Sequence, residues 1–248
     1  MIRMLETIRH DELERFGGKG CNLAFLHQHD FNVPAGFVVS SEVMDMNIGR
    51  LMARIREFTG LIGADEFSVR SSMVLEDGDT RSFAGVFSSF MHVRPDEILP
   101  KVIECQKSVE KEHVQQYCRF HGILQHHLRM AVVVQRMVDA KKSGVTFTMN
   151  PVNGNEEMVV ESAYGQGEYI VSGKVTPERY IVRREPGNSM LHSIPRGGEC
   201  LTGSELRKII ETCLEIENRY RAPQDIEWTI GKDDRLWILQ SRPITSLL

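Results

Sequence analysis

From Asp225 to Thr245 the chain reads DIEWTIGKDDRLWILQSRPIT, an alternating apolar and polar run before Gly231-Lys232-Asp233-Asp234 and an apolar return after it that carries Gln240 and Arg242. Alternation with period two belongs to a strand, and a glycine followed by aspartates tolerates a tight turn, so the segment predicts a β-hairpin. A hairpin is a strong constraint because its register decides which side chains share a face. With an even loop, Lys232-Asp233 between Gly231 and Asp234, Asp225 faces Gln240. Asp225, Glu227, Leu236, Ile238 and Gln240 then share one side with Arg242 just beyond, while Ile226, Trp228, Trp237 and Leu239 take an apolar side. An odd loop or a bulge would swing Gln240 to the other face.

Two carboxylates, an amide and a guanidinium converging on one surface suit a magnesium–nucleotide complex. Magnesium takes few protein oxygens and keeps water and phosphate oxygens as its other ligands. Glu227 and Gln240, with Asp225, are therefore the candidate metal ligands, and Arg242 the candidate phosphate fork. The competing reading is a solvated polar face on an edge hairpin.

Upstream, FGGKG at 16–20 is not a P-loop, because no Ser or Thr follows Lys19. Its glycines nevertheless permit close backbone approach to an anion beside the Lys19 charge, with a simple helix-start turn as the alternative. Leu23 and Leu26 continue it as a helix face. Met44, Ile48, Leu51, Met52, Ile55 and Phe58 recur at helical intervals and predict a helix over 41–59. FSVRSS at 67–72 and FAGVFSSFMHV at 83–93 read as paired strands, and the segment from Pro95 to about 120 as a mostly exposed helix. Arg70 offers a second cationic fork, and the small-residue turn Ser82, Phe83, Ala84, Gly85 offers backbone amides to phosphate oxygens, unless the pair is an ordinary hairpin with a surface arginine. Gln135, Met137 and Val138 close the MAVVV run, where an amide and a thioether suit an adenine ring; a core strand and turn explain them equally well. YGQGE at 164–168 fails the dinucleotide fingerprint, since Ile170 stands where a third small residue belongs.

From residue 130 onward, short β-rich runs set off by glycines predict an antiparallel or mixed sheet. Thr202 with Glu205 makes a capping box for a helix over 203–220 that turns Leu206, Ile209, Ile210, Cys213 and Leu214 inward. Strands and helices interleave without a βαβ rhythm, which favours two α+β lobes over a doubly wound sheet.

A formal net charge of −4 and a pI near 6.2, with Lys and Arg scattered, provide no general attraction for nucleic acid or an anionic membrane. The charged start MIRMLETIRHDELERF lacks a signal-peptide core and the longest apolar runs are far below a membrane span, so a cytoplasmic protein is expected. Five cysteines without a CxxC pair read as reduced structural thiols, and no histidine sits in an HExxH pattern, so a transition-metal site is not expected.

Taken in order, GGKGCNLAFL, VPAGFVVSSE, VRSSMVLEDGDTRSFAG, MAVVVQRMV, SGVTFTMNP, ESAYGQGE, VSGKVTPERYIV and DIEWTIGKDDRLWILQSRPIT, within residues 16–245, resemble one known family. It is the N-terminal nucleotide-binding region of the pyruvate phosphate dikinase and phosphoenolpyruvate synthase family, which also includes rifampicin phosphotransferases. The resemblance implies an ATP-grasp fold of class α+β, two lobes enclosing a nucleotide cleft, here residues 1–125 and 126–248. It further implies ATP and Mg2+ as cofactors, with Lys19 and Arg70 touching phosphate and Ser82 to Gly85 covering it. Gln135 and Val138 would contact adenine, Glu227 and Gln240 would hold the metal with Asp225 as neighbour, and Arg242 would clamp phosphate. Lys19, Arg70 and Arg242 are the implied catalytic residues.

Only 51 positions separate Lys19 from Arg70, which implies a shortened N-terminal lobe. No histidine follows a glycine pair in the manner of the family's phosphohistidine loop, so the phosphoryl acceptor is expected outside these residues, as a histidine of a partner protein or a small molecule. A carboxylate–amine ligase and a non-catalytic nucleotide-binding regulatory module are the alternatives. Retention of the full charge set weighs against the last.

Overall fold

The computed structural model describes residues 1–45, 47–73, 87–120, 129–167, 173, 175–184, 190–193 and 200–244. The chain divides into two compact units, Met1–Met137 and Val138–Leu248.

In the first unit, β1 (Ile2–Met4), α1 (Leu13–Gln28), β2 (Gly36–Val39), α2 (Ile48–Ile62), β3 (Phe67–Met73), β4 (Ser89–Val93), α3 (Ile98–Lys107), α4 (Glu112–Phe120) and β5 (Met130–Arg136) follow in order. Their five strands form an antiparallel sheet in the order β1-β2-β5-β3-β4. Strand β5 is central, and Val132, Val133 and Val134 are all fully buried, as its continuous apolar run requires when both faces are covered. On one face Phe37, Val69, Val132 and Val134 meet Leu51, Ile55 and Phe58 of α2 and Ile98, Val102 and Cys105 of α3. Helix α1 packs against β3 and β5.

The sequence pattern needs three revisions here. The single helix expected over 41–59 is a 3-10 turn at Ser41–Asp45 followed by α2, because the Asn47 side chain accepts hydrogen bonds from the Gly49 and Arg50 N–H groups and caps a new helix. The exposed helix expected after Pro95 is two helices, and α3 is half buried through Ile98, Val102 and Cys105. Strand β5, expected in the second domain, pairs with β2 and β3, so the units part between Met137 and Val138 rather than at 125/126.

In the second unit, β6 (Ala140–Phe147), β7 (Glu157–Tyr164), β8 (Glu178–Arg184), β9 (Met190–Ser193), α5 (Gly203–Tyr220), β10 (Gln224–Gly231) and β11 (Leu236–Pro243) form an antiparallel sheet ordered β11-β10-β6-β7-β8-β9, with α5 packed on β10. The capping box forms as expected, with Thr202 Oγ1 accepting from Glu205 N–H at 3.2 Å and Glu205 Oε2 accepting from Thr202 N–H at 2.7 Å. Leu206, Ile209, Ile210, Cys213 and Ile216 are buried; Leu214 is only half buried, so the inward stripe ends on Ile216. Trp228 is fully buried on the α5 side, and its indole N–H donates to Thr146 Oγ1 at 2.8 Å. Gly144 is what lets that ring in, since a Cβ there would lie 2.3 Å from Trp228 Cζ2 and 2.2 Å from the Glu161 carbonyl oxygen.

Glu205 also receives Lys142 Nζ at 2.7 and 2.8 Å. Burial pushes the Glu205 carboxyl up, but the Lys142 and Thr202 hydrogen bonds outweigh it and hold the group below its ordinary value. The stability it contributes is therefore complete above the unfolded-chain value of 4.5 and is lost as pH falls through the lower folded value. Glu205→Gln is expected to cost roughly 2 kcal/mol at neutral pH. Urea unfolding should show that difference shrinking on acidification below 4.5, and a pH-independent difference would exclude this ion pair as its source.

Candidate functional site

The hairpin forms, but through a register that its alternation does not reveal. The Gly231 N–H donates to the Arg235 carbonyl, the Asp234 N–H donates to the Gly231 carbonyl, and Asp234 has φ 58. This is a three-residue loop, Lys232 to Asp234, closed by a left-handed aspartate, not the two-residue loop the even register needs. The odd loop places Leu236 opposite Ile230 and Ile238 opposite Trp228, so both belong to the buried side, and Trp237, opposite Thr229, moves to the other. Beyond Trp228 the register shifts once more, leaving Leu239 as the extra residue of a bulge.

Two one-residue shifts restore parity. Glu227 stands directly opposite Gln240, and Asp225 directly opposite Arg242, all four on the side turned away from α5. Directly opposed Cβ atoms lie about 5 Å apart in such pairs, closer than the diagonal contact expected between Glu227 and Gln240. The Ile226 side is not purely apolar, because Ser241 Oγ donates to Gln224 Oε1 at 2.7 Å within it.

Arg242 Nε and Nη2 both donate to Asp225 Oδ2, at 2.8 and 2.6 Å. Asp225 is 8% exposed, and burial raises its carboxyl above the ordinary value while Arg242 opposes that shift. Gln240 is also buried. Among the described residues no group of three or more His, Cys, Asp or Glu is placed to hold a metal; the directly opposed oxygen donors on this side of the hairpin are Glu227 and the Gln240 amide, with the Asp225 carboxylate bonded to Arg242. One carboxylate with one amide fits magnesium, whose remaining positions are filled by water and phosphate oxygens.

Along the same row of the sheet, Glu227 neighbours Val145, which neighbours Glu161, which neighbours Arg179. Glu161 accepts from Arg179 Nε at 2.9 Å and lies outside the residues expected from the sequence. Its even spacing from Ala163 and Val159 within EMVVESAYG carried the face, but only pairing with β6 puts that face beside Glu227.

In the first unit, Lys19 lies in α1 just past a break at Gly17, where φ is 69 and a Cβ would meet the Ser72 carbonyl oxygen at 2.2 Å. That break is the glycine turn expected from FGGKG, absorbed into the start of the helix. Lys19 is buried, and its Nζ donates to the Ser71 carbonyl at 3.2 Å; the Gly20 N–H donates to Ser72 Oγ at 3.0 Å. Strand alternation puts half-buried Arg70 on the Ser72 side of β3, so Lys19 and Arg70 attach to adjoining residues of one strand. Gln135 Nε2 donates to the Pro34 carbonyl at 3.2 Å, and the Arg136 and Met137 N–H groups donate to Ala35 and Glu66. Val138 opens the second unit. Ser82, Phe83, Ala84 and Gly85 lie outside the described residues.

The five cysteines are buried thiols, and burial raises Cys105 to about 11 and Cys213 to about 12, as structural thiols require. No described helix is long and apolar enough to cross a membrane.

The family described as pyruvate phosphate dikinase, AMP/ATP-binding domain, matches residues 45–197 and 191–247. A probable phosphoenolpyruvate synthase of Methanothermobacter thermautotrophicus is 30% identical over 316 residues, covering 99% of this chain and 46% of that protein. A rifampicin phosphotransferase of Streptomyces sviceus is 31% identical over 309 residues, covering 98% of this chain and 36% of its own length. The chain thus spans less than half the length of these relatives, and both matched spans exceed its 248 residues, so each relative carries extra residues inside the match. Among solved structures, a D-cycloserine synthetase is similar with a TM-score of 0.46 and 12% identity, over 92% of this chain and 62% of that one.

Proposed function

The chain belongs to the pyruvate phosphate dikinase AMP/ATP-binding domain family, with the α+β ATP-grasp fold of that family, and on that premise we propose that it is an ATP- and Mg-dependent phosphotransferase module with a shortened N-terminal lobe. The observation that carries this reading is the restored register of the β10–β11 hairpin, which opposes Glu227 to Gln240 and Asp225 to Arg242 on one face.

In the proposed reaction, Glu227 and the Gln240 amide oxygen hold the metal, and Arg242 binds a phosphate oxygen through its planar fork. Bound magnesium supplies charge neutralisation across the phosphates. From the family resemblance, Lys19, Arg70 and Ser82, Phe83, Ala84 and Gly85 are assigned to phosphate, and Gln135, Met137 and Val138 to the adenine. Phosphoryl transfer needs no protein nucleophile here: it proceeds by positioning and electrostatic stabilisation. The acceptor is a histidine of a partner protein or a small molecule, and the setting is cytoplasmic.

Phosphorus NMR of the protein with Mg-ATP and candidate acceptors tests this reading. AMP, phosphate and a phosphorylated acceptor, formed only when a histidine-bearing acceptor or a small-molecule acceptor is present, are the expected products. ADP with an amide product would replace the reading by carboxylate–amine ligation, and ATP that binds but stays intact with every acceptor would replace it by a regulatory role.

A further inference from the structure

We propose that Asp225 is a positioning residue for Arg242 and not a ligand of the metal. The inference rests on the phosphotransferase reading for what Arg242 does, and on the hairpin alone for how Arg242 is held. Asp225 and Arg242 are directly opposed, Asp225 on β10, which is paired on both sides, and Arg242 on the edge strand β11. Two donors of one guanidinium, Nε and Nη2, converge on a single carboxylate oxygen at 2.8 and 2.6 Å. A guanidinium that donates through both Nε and Nη2 to one oxygen is fixed in its plane and direction, because both N–H bonds lie in the guanidinium plane and only one orientation lets them converge.

The pair is also sheltered, with side-chain exposures of 10% for Asp225 and 32% for Arg242, so solvent screens it less than a surface bridge. A metal at Asp225 Oδ2 would have to displace both donors and leave the guanidinium and the cation side by side. Glu227, one pair further along the same face, faces a neutral amide instead. The two acidic residues of DIEW thus divide their work: Glu227 meets the cation, and Asp225 aims the arginine that grips phosphate.

The closing experiment has two arms. In the unsubstituted protein, the Arg242 Nε–H resonance in a proton–nitrogen NMR spectrum should be protected from exchange and should stay protected at saturating Mg2+. It should lose protection in Asp225→Asn and keep it in Glu227→Gln. In the second arm, calorimetric titration with ATP should show Asp225→Asn weakening binding by roughly tenfold, as loss of charge-assisted hydrogen bonding predicts, with adenosine affinity and the half-saturating Mg2+ concentration unchanged. In an Arg242→Gln background the same substitution should cost less than about twofold, because the two residues act as one group.

A rise in the half-saturating Mg2+ concentration in Asp225→Asn, additive losses in the double variant, or loss of Nε–H protection on adding Mg2+ would each overturn the assignment. Failure of the unsubstituted protein to bind ATP would sink the functional reading instead, while the exchange measurement still decides whether Asp225 holds the guanidinium.

Discussion

Glu227→Ala is expected to lower magnesium-dependent ATP cleavage by roughly 100-fold or more while leaving the protein folded. The residue occupies the side of β10 turned away from α5, opposite Gln240, and contributes nothing to the Trp228 core on the other face. Its removal takes away the charged half of the proposed metal pair, and a neutral amide alone is a poor substitute for a hard cation. Phosphorus NMR gives the rate, and circular dichroism with urea unfolding gives the fold. Because the effect passes through the metal, raising Mg2+ should recover part of the rate in the milder Glu227→Gln variant. Cleavage at the unsubstituted rate in a folded Glu227→Ala protein would remove this hairpin from the chemistry.

The largest stability effect is expected one residue further along the strand. Trp228→Ala should destabilise the second unit by about 4 kcal/mol, the range for truncating a large buried aromatic. The ring is fully buried, fills the space left by Gly144, and spends its N–H on Thr146 Oγ1. Its removal therefore leaves both a cavity and a buried hydroxyl without its donor. Trp237→Ala is the control: its neighbour across the strands is Thr229, it is only half buried, and it stands on the other side of the sheet. Urea midpoints should fall clearly further for Trp228→Ala, and equal losses at the two positions would show that the register assigned to the hairpin is wrong.

The sequence was most legible where structure is local. The helix over 203–220 could be bounded from Thr202 and Glu205, because a capping box is a contact between residues three apart and needs no distant partner. The hairpin was visible for the same reason, since alternation and a glycine-led turn act within a few residues. The helix expected over 41–59 was misplaced at its start because Asn47, inside that range, takes the first-turn donors itself. The exposed helix after Pro95 was misjudged because the burial of Ile98, Val102 and Cys105 depends on the sheet beneath them.

Strand β5 shows the limit clearly. Its run of valines announced a buried strand but not its neighbours, and pairing with β2 and β3 moved it into the first unit. Of the candidate site, residue types were readable and their partners were not. Asp225 and Glu227 look alike in DIEW, yet one is bonded to Arg242 and the other stands across from Gln240.

The sequence by itself determined the hairpin, the capped helix over 203–220, the α+β class, the family resemblance and the set of acidic, amide and basic groups available at the hairpin. Each follows from local periodicity, turn chemistry and residue identity. Tertiary structure alone decided which of those groups meet, because a strand's face is a matter of parity. The left-handed Asp234 makes the loop odd, and the extra residue at Leu239 makes the count even again. Neither change is marked in the apolar return Leu236 to Leu239, and only the pair of them brings Gln240 and Arg242 back to the side of Glu227 and Asp225.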